Sequence, residues 1–156
     1  MSHPKWDLLE GLSAGQVNEV LSLSSPQIHR QGEELFSLGE DADKLFLVVS
    51  GKVRLTLPLT VGDRELDVMV GESMSGNMLG WSGLIPPHRF TVRGVATADT
   101  ELLAFPRPSL LTFFRENPAV GYAVLSNLAR IVGQRLQVFQ TMWIREMQHV
   151  VKSKTT

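Results

Sequence analysis

Catalysis needs a nucleophile beside a base, or a cluster of metal ligands, and this chain offers neither at a usable spacing. Its four histidines, His3, His29, His88 and His149, are scattered, with no H-x-H or H-x-x-x-H pair among them. There is no cysteine, which excludes disulfides, thiolate metal sites and a cysteine nucleophile. The glycine-rich stretch from Gly71 to Gly83, GESMSGNMLGWSG, is too irregular for a Walker or dinucleotide-binding loop. The expectation is no catalytic residue, no metal site and no enzyme activity. One segment still holds groups suited to binding: Leu79 to Ala96, LGWSGLIPPHRFTVRGVA, with the glycines Gly80 and Gly83 at its turn, Arg89 and Thr91. What it does depends on the elements around it.

At 156 residues the chain fits one domain with a real core. A net charge of -1 gives no broad basic field to draw it to nucleic acid. The N-terminus, MSHPKWDLLEGL, lacks the basic start and apolar run of a secretion signal. No apolar stretch reaches the roughly 20 residues that span a bilayer. The expected location is the cytoplasm, away from membranes.

The elements read as helix, then strands, then helix. Trp6 to Leu23 carries Leu8, Leu9, Leu12, Val17, Val20 and Leu21, with Ser13 as an N-cap, and predicts one or two short helices within about 4–23. Strands follow over about 28–106. Leu45 to Val49 is an apolar run long enough for one buried strand, and Val53, Leu55 and Leu57 alternate with Arg54 and Thr56. Thr60 to Asp63 reads as the turn of a hairpin joining Val53–Leu57 to Leu66–Val70. Gly71 to Pro87, with four glycines and two prolines, reads as irregular structure around one helical turn. Val92 to Ala96 and Glu101 to Phe105 read as closing strands. Short strands packed densely between glycine turns point to an antiparallel roll or barrel.

The last element is a long helix over about 117–151. Leu125, Leu128, Val132, Leu136, Phe139, Trp143, Met147 and Val150 recur at steps of three and four, with Val124, Ile131, Val138 and Met142 as a second line beside them. One line covers the roll. The other is either buried by a second copy, making a homodimer through Leu128, Val132, Leu136, Phe139 and Trp143, or buried within one chain by the helix folding back.

The order of residues from Gly32 to Val53, GEELFSLGEDADKLFLVVSGKV, resembles the opening of the cyclic-nucleotide-binding domain family, G-x-x-L-F-x-x-G-x-x-A-D-x-L-[FY]-[LI]-V-x-x-G-x-[VI]. The resemblance implies a mainly β fold, a double-stranded β-helix (jelly-roll-like) β-roll flanked by short N-terminal helices and a long C-terminal helix. It treats 1–156 as a single sensor domain of the kind found in catabolite-activator-like regulators. Those regulators continue into a DNA-reading domain, whereas this sequence ends at KSKTT, so direct nucleic-acid binding is not expected.

In that family a cassette reading F-G-E-x-[AG]-L, then R-x-A-[TS]-V-x-A, holds the cyclic phosphate and ribose. Donors at a helix start and a fixed arginine cradle the anion, and the glutamate accepts a ribose hydroxyl. The resemblance therefore assigns ligand binding to Gly80, Trp81, Ser82, Gly83, Arg89, Phe90 and Thr91, with cyclic AMP or cyclic GMP, or a related small anion, as the ligand. Arg89 takes the place of the phosphate arginine, or instead pairs with an acidic neighbour such as Glu72. Trp81 stands where the family glutamate does, and an indole donates a hydrogen bond but accepts none. It either plugs the pocket or forms its wall. Arg89 to Ala96 is also one residue longer than the family spacing, and Phe90 replaces a small residue.

The function that follows is a stand-alone regulatory domain that signals through its C-terminal helix to a protein effector. Two alternatives stand beside it. One is a dimeric interaction module whose pocket is closed by Trp81 and Phe90. The other is a haem sensor like some relatives of the fold, with His88, Met74 or Met78 as axial ligand.

Overall fold

A computed structural model of the chain describes residues 4–155, so His3 lies outside the described residues. Among these residues eight strands form two four-stranded antiparallel sheets. One has the order β1 (Ser25–His29), β8 (Thr100–Pro106), β3 (Lys44–Ser50), β6 (Met78–Leu79). The other runs β2 (Glu34–Phe36), β7 (Arg93–Ala96), β4 (Lys52–Val61), β5 (Arg64–Met74). The result is the expected jelly-roll-like β-roll.

The apolar run in β3 has a direct explanation. Leu45 and Leu47 enter one core cluster, together with Trp6, Leu9 and Val20 from the N-terminal segment. Phe46 and Val48 enter the other, inside the roll, with Phe36, Val53, Leu79 and Phe90. Alternate side chains of a strand take opposite faces, so a strand buried on both faces must be apolar at nearly every position. Gly94 in β7 serves the same interior: a Cβ there would lie 2.7 Å from Cζ of Phe36.

β4 and β5 form one long hairpin turning at Gly62-Asp63, as expected. β5 continues to Met74, beyond the Val70 end and into the stretch expected to be irregular. A register shift opposite Leu55-Thr56 lets it do so: Leu55 pairs with Gly71 and Thr56 with Met69, leaving Val70 as an extra residue.

Among the described residues three α-helices flank the roll. α1 (Ala14–Leu21) is capped by Ser13, whose hydroxyl accepts from the Gln16 N–H while the Gln16 side chain accepts from the Ser13 N–H. It is the single α-helix before the strands among the described residues, where the sequence suggests one or two. Residues 8–11 instead form turns, next to Asp7, which is tied to the roll. Its N–H donates to Gly76 O at 2.9 Å, and its carboxylate accepts from Met78 N–H at 2.9 Å.

α2 (Arg107–Glu116) has no counterpart in the sequence reading. It docks Leu110 and Phe114, one turn apart, into the first core cluster. α3 (Pro118–Thr155) then runs unbroken for 38 residues, which rules out the folded-back arrangement. Among the described residues no helix is long and apolar enough to cross a membrane.

Candidate ligand chamber between the roll and the long helix

A cavity of about 670 Å³ lies where the roll meets α3. Leu55 and Leu57 of β4, with Val70, Gly71 and Glu72 of β5, make one wall. Gly80, Trp81 and Ser82 make a second, and Phe90, Thr91 and Val92 a third. The fourth belongs to α3, from Arg130 to Phe139. A chamber of this size, apolar with a few polar groups, is of the kind that holds a small organic ligand.

Gly80 shapes the tightest corner. Its φ of 78° is open to glycine at little cost, and a Cβ there would sit 3.2 Å from the Phe90 ring and 3.4 Å from the Phe46 ring. Phe90 stacks on Phe36 with centroids 4.0 Å apart and planes at 11°. Trp81, in a single 3-10 turn over Trp81–Gly83, is half-buried. Both aromatic rings are wall, and the chamber between them is open. The closed pocket of the interaction-module alternative is therefore not what forms.

Five of the seven residues expected to bind ligand line this chamber: Gly80, Trp81, Ser82, Phe90 and Thr91. Gly83 does not. It packs against β3, where a Cβ would meet the Lys44 carbonyl oxygen at 2.8 Å. Arg89 also lies outside. Its Nη1 donates to the Gly39 carbonyl at 3.0 Å, so it neither faces the chamber nor pairs with Glu72, which lies 3.8 Å from Lys52 Nζ.

The cause is local. Arg89 forms a bridge with Asp41 in extended backbone, so its side chain and that of Phe90 take opposite faces. Phe90 is buried inside the roll, and Arg89 is left outside. The extra residue of spacing in this segment has the effect of a one-residue register slip.

The haem ligands fare no better. His88 Nδ1 lies 3.0 Å from the Ser82 carbonyl, Met78 is fully buried in the helix-side core cluster, and Met74 is exposed; none of the three lines the chamber. Among the described residues no three acidic or histidine side chains gather where they could hold a metal.

A cation does enter the chamber, from a different element. Arg135 of α3 donates through Nη2 to the Met78 carbonyl at 2.9 Å and to Ser73 Oγ at 3.4 Å. Burial pulls its guanidinium below the ordinary arginine range, and the nearby Asp7 carboxylate works against that shift. Burial likewise raises Asp7, opposed by the Met78 and Leu8 N–H groups, then Arg135, then the Asn77 amide. Arg130 also reaches this wall but is engaged with Glu10 at 3.0 Å.

Sequence reasoning does not assign Arg135 a role, although a signal exists. Val124, Leu128 and Ile131 are the buried face of α3, and Arg135 continues it at the next step of four. A charge on the buried face of a helix asks for a reason. The same face corrects the dimer seam: Leu128 is 2% exposed within its own chain and is unavailable to a second copy. Val132 is half-buried and lines the chamber together with Leu136 and Phe139; Leu136, Phe139 and Trp143 are 54%, 43% and 55% exposed. Gln140 and Thr141, the polar residues that follow Phe139 on α3, do not line the chamber.

The architecture is a β-roll with a chamber at its junction with the long C-terminal helix. Residues 26–117 match the cyclic nucleotide-binding domain family, and the chain belongs to it. The chain is 32% identical over 130 residues to the Cyclic AMP receptor protein of Thermus thermophilus, a match covering 83% of this chain and 57% of that one. The solved Catabolite Activator Protein of Thermus thermophilus superposes with a TM-score of 0.72 at 29% identity, covering 92% of this chain and 63% of that one. A cyclic nucleotide-binding domain from Methylobacillus flagellatus superposes at 0.77 with 17% identity, covering 89% of this chain and 82% of that chain, and shows the shared fold. The chain thus spans little more than half the length of the Thermus receptor it resembles.

Proposed function

We propose that this domain is a regulator that takes a small anionic ligand into the chamber and passes its occupancy on through α3. Cyclic AMP and cyclic GMP are the first ligands to test, since the similar Thermus receptor is named for cyclic AMP. The observation that carries this reading is the division of the chamber wall between the roll and α3. A ligand filling it touches both, and so favours whichever helix position gives the better contacts.

The output would be a homodimer. Beyond Arg135 some 20 residues of α3, about 30 Å of helix, carry an exposed apolar stripe that includes Leu136, Phe139, Trp143 and Met147. A second copy of the same helix buries such a stripe most simply. Val132 extends that seam at its chamber end, and a protein effector reads the arrangement. Catalysis has no part in this reading.

Isothermal titration with cyclic AMP and cyclic GMP tests it. Saturable heat, retained in Arg89→Ala because Arg89 lies outside the chamber, is expected. Silence with both nucleotides would remove the cyclic nucleotides as ligands. Binding lost in Arg89→Ala would move the site out of the chamber described here.

A further inference from the structure

Resting on the reading of the chamber as a ligand site, we infer that its anion-binding residue is Arg135, and that the ligand it suits is an organic acid: one anionic head on an apolar, ring-sized body.

The argument begins with where charge can be met. Arg89 is spent on the Gly39 carbonyl outside the chamber, and Arg130 is paired with Glu10. Arg135 is the remaining arginine on the wall, and both of its hydrogen bonds run through Nη2. Among the described residues its Nε and Nη1 make none. A guanidinium with unused donors beside an apolar chamber is a strong place for a carboxylate or phosphate, since charge-assisted hydrogen bonds gain strength as water is excluded.

The rest of the chamber argues for the body. Phe36, Leu55, Phe90, Val92, Ile131 and Phe139 offer ring faces and aliphatic surface. Trp81 stands at the turn with an indole that can only donate, so a hydroxyl-rich ligand finds no acceptor from that residue. Because Arg135 sits on α3 while Met78 and Ser73 sit on the roll, an anion there engages the helix at the point where it is fastened.

The test uses 2-naphthoate, with neutral 2-naphthamide of the same shape as its partner. Wild-type protein should bind the acid at least about tenfold more tightly than the amide. That preference should vanish in Arg135→Gln and survive in Arg89→Gln, with Arg135→Lys keeping part of it. If Arg135→Gln fails to fold, the readout moves to wild-type protein labelled with nitrogen-15. There the Arg135 Nε–H resonance should shift on titration with the acid and stay still with the amide.

Acid and amide binding equally, or a preference that persists without Arg135, would overturn the inference while leaving the ligand-sensor reading standing. The inference would also fall if cyclic nucleotides bind and 2-naphthoate does not. Should neither class bind, both readings fall together.

Discussion

The two halves of α3 carry the same kind of sequence and meet opposite fates. From Pro118 to Arg135 the helix lies on the roll, burying Val120, Val124, Leu128 and Ile131, and its chamber wall begins at Arg130 and reaches Phe139. From Leu136 onward the apolar residues continue at the same steps, yet Phe139, Trp143 and Met147 remain more than two-fifths exposed. Periodicity says only that a helix has an apolar face. What covers the face depends on how far the roll extends: the last buried apolar residue of α3 is Ile131, and the last to line the chamber is Phe139.

Three substitutions probe that contrast. The largest effect belongs to the covered half. Leu128→Ala removes a side chain that is 2% exposed, so a loss of about 2–5 kcal/mol of stability is expected in denaturant unfolding. A loss under about 0.5 kcal/mol would mean that this half is not packed as described.

Gly121→Ala comes next. An added Cβ would lie 2.8 Å from the Phe114 Cβ, pushing α2 and α3 apart, with an expected loss of about 1–3 kcal/mol in the same measurement. The smallest change in protomer stability is expected for Trp143→Glu on the uncovered half, within about 0.5 kcal/mol when measured at low concentration. Its effect should instead appear in light scattering, as monomers in place of dimers. A clean dimer of this variant would place the seam elsewhere.

The fastening of the covered half should also respond to pH. Burial raises Asp7 in the folded chain above its ordinary value, so the folded state holds this proton where the unfolded chain has already lost it. The Asp7 contribution to stability is therefore most favourable below the ordinary carboxylate range. It declines as pH rises from there through the raised folded value. Chemical denaturation of wild type and Asp7→Asn across that window should show wild type losing ground to the variant as pH rises. Parallel curves would contradict the burial of this carboxyl.

Much of this architecture is legible in the residues. The Leu45–Val49 run, the Gly62-Asp63 turn and the Ser13 cap all name their own geometry, because each is settled by neighbours in sequence. α2 is not legible. Pro106 precedes it without a side-chain cap, and only Leu110 and Phe114 of its ten residues are buried.

The place of Arg89 is not legible either. Its direction is fixed by Phe90, and Phe90 is fixed by Phe36, more than fifty residues away in sequence. Leu128 reads as part of a dimer seam because two apolar lines on one helix cannot be told apart until something lies against one of them. The roll takes a face that crosses both. Arg135 lies on that face, a charge standing where the buried pattern calls for an apolar residue.

Hydrogen exchange along α3, read at low and at high protein concentration, tests the central claim most directly. Slow exchange from Val120 to Arg135 at both concentrations is predicted, with the amides beyond Leu136 fast when dilute and slow when concentrated. Uniform protection along the whole helix at low concentration would contradict the account, as would a second half that stays fast at every concentration.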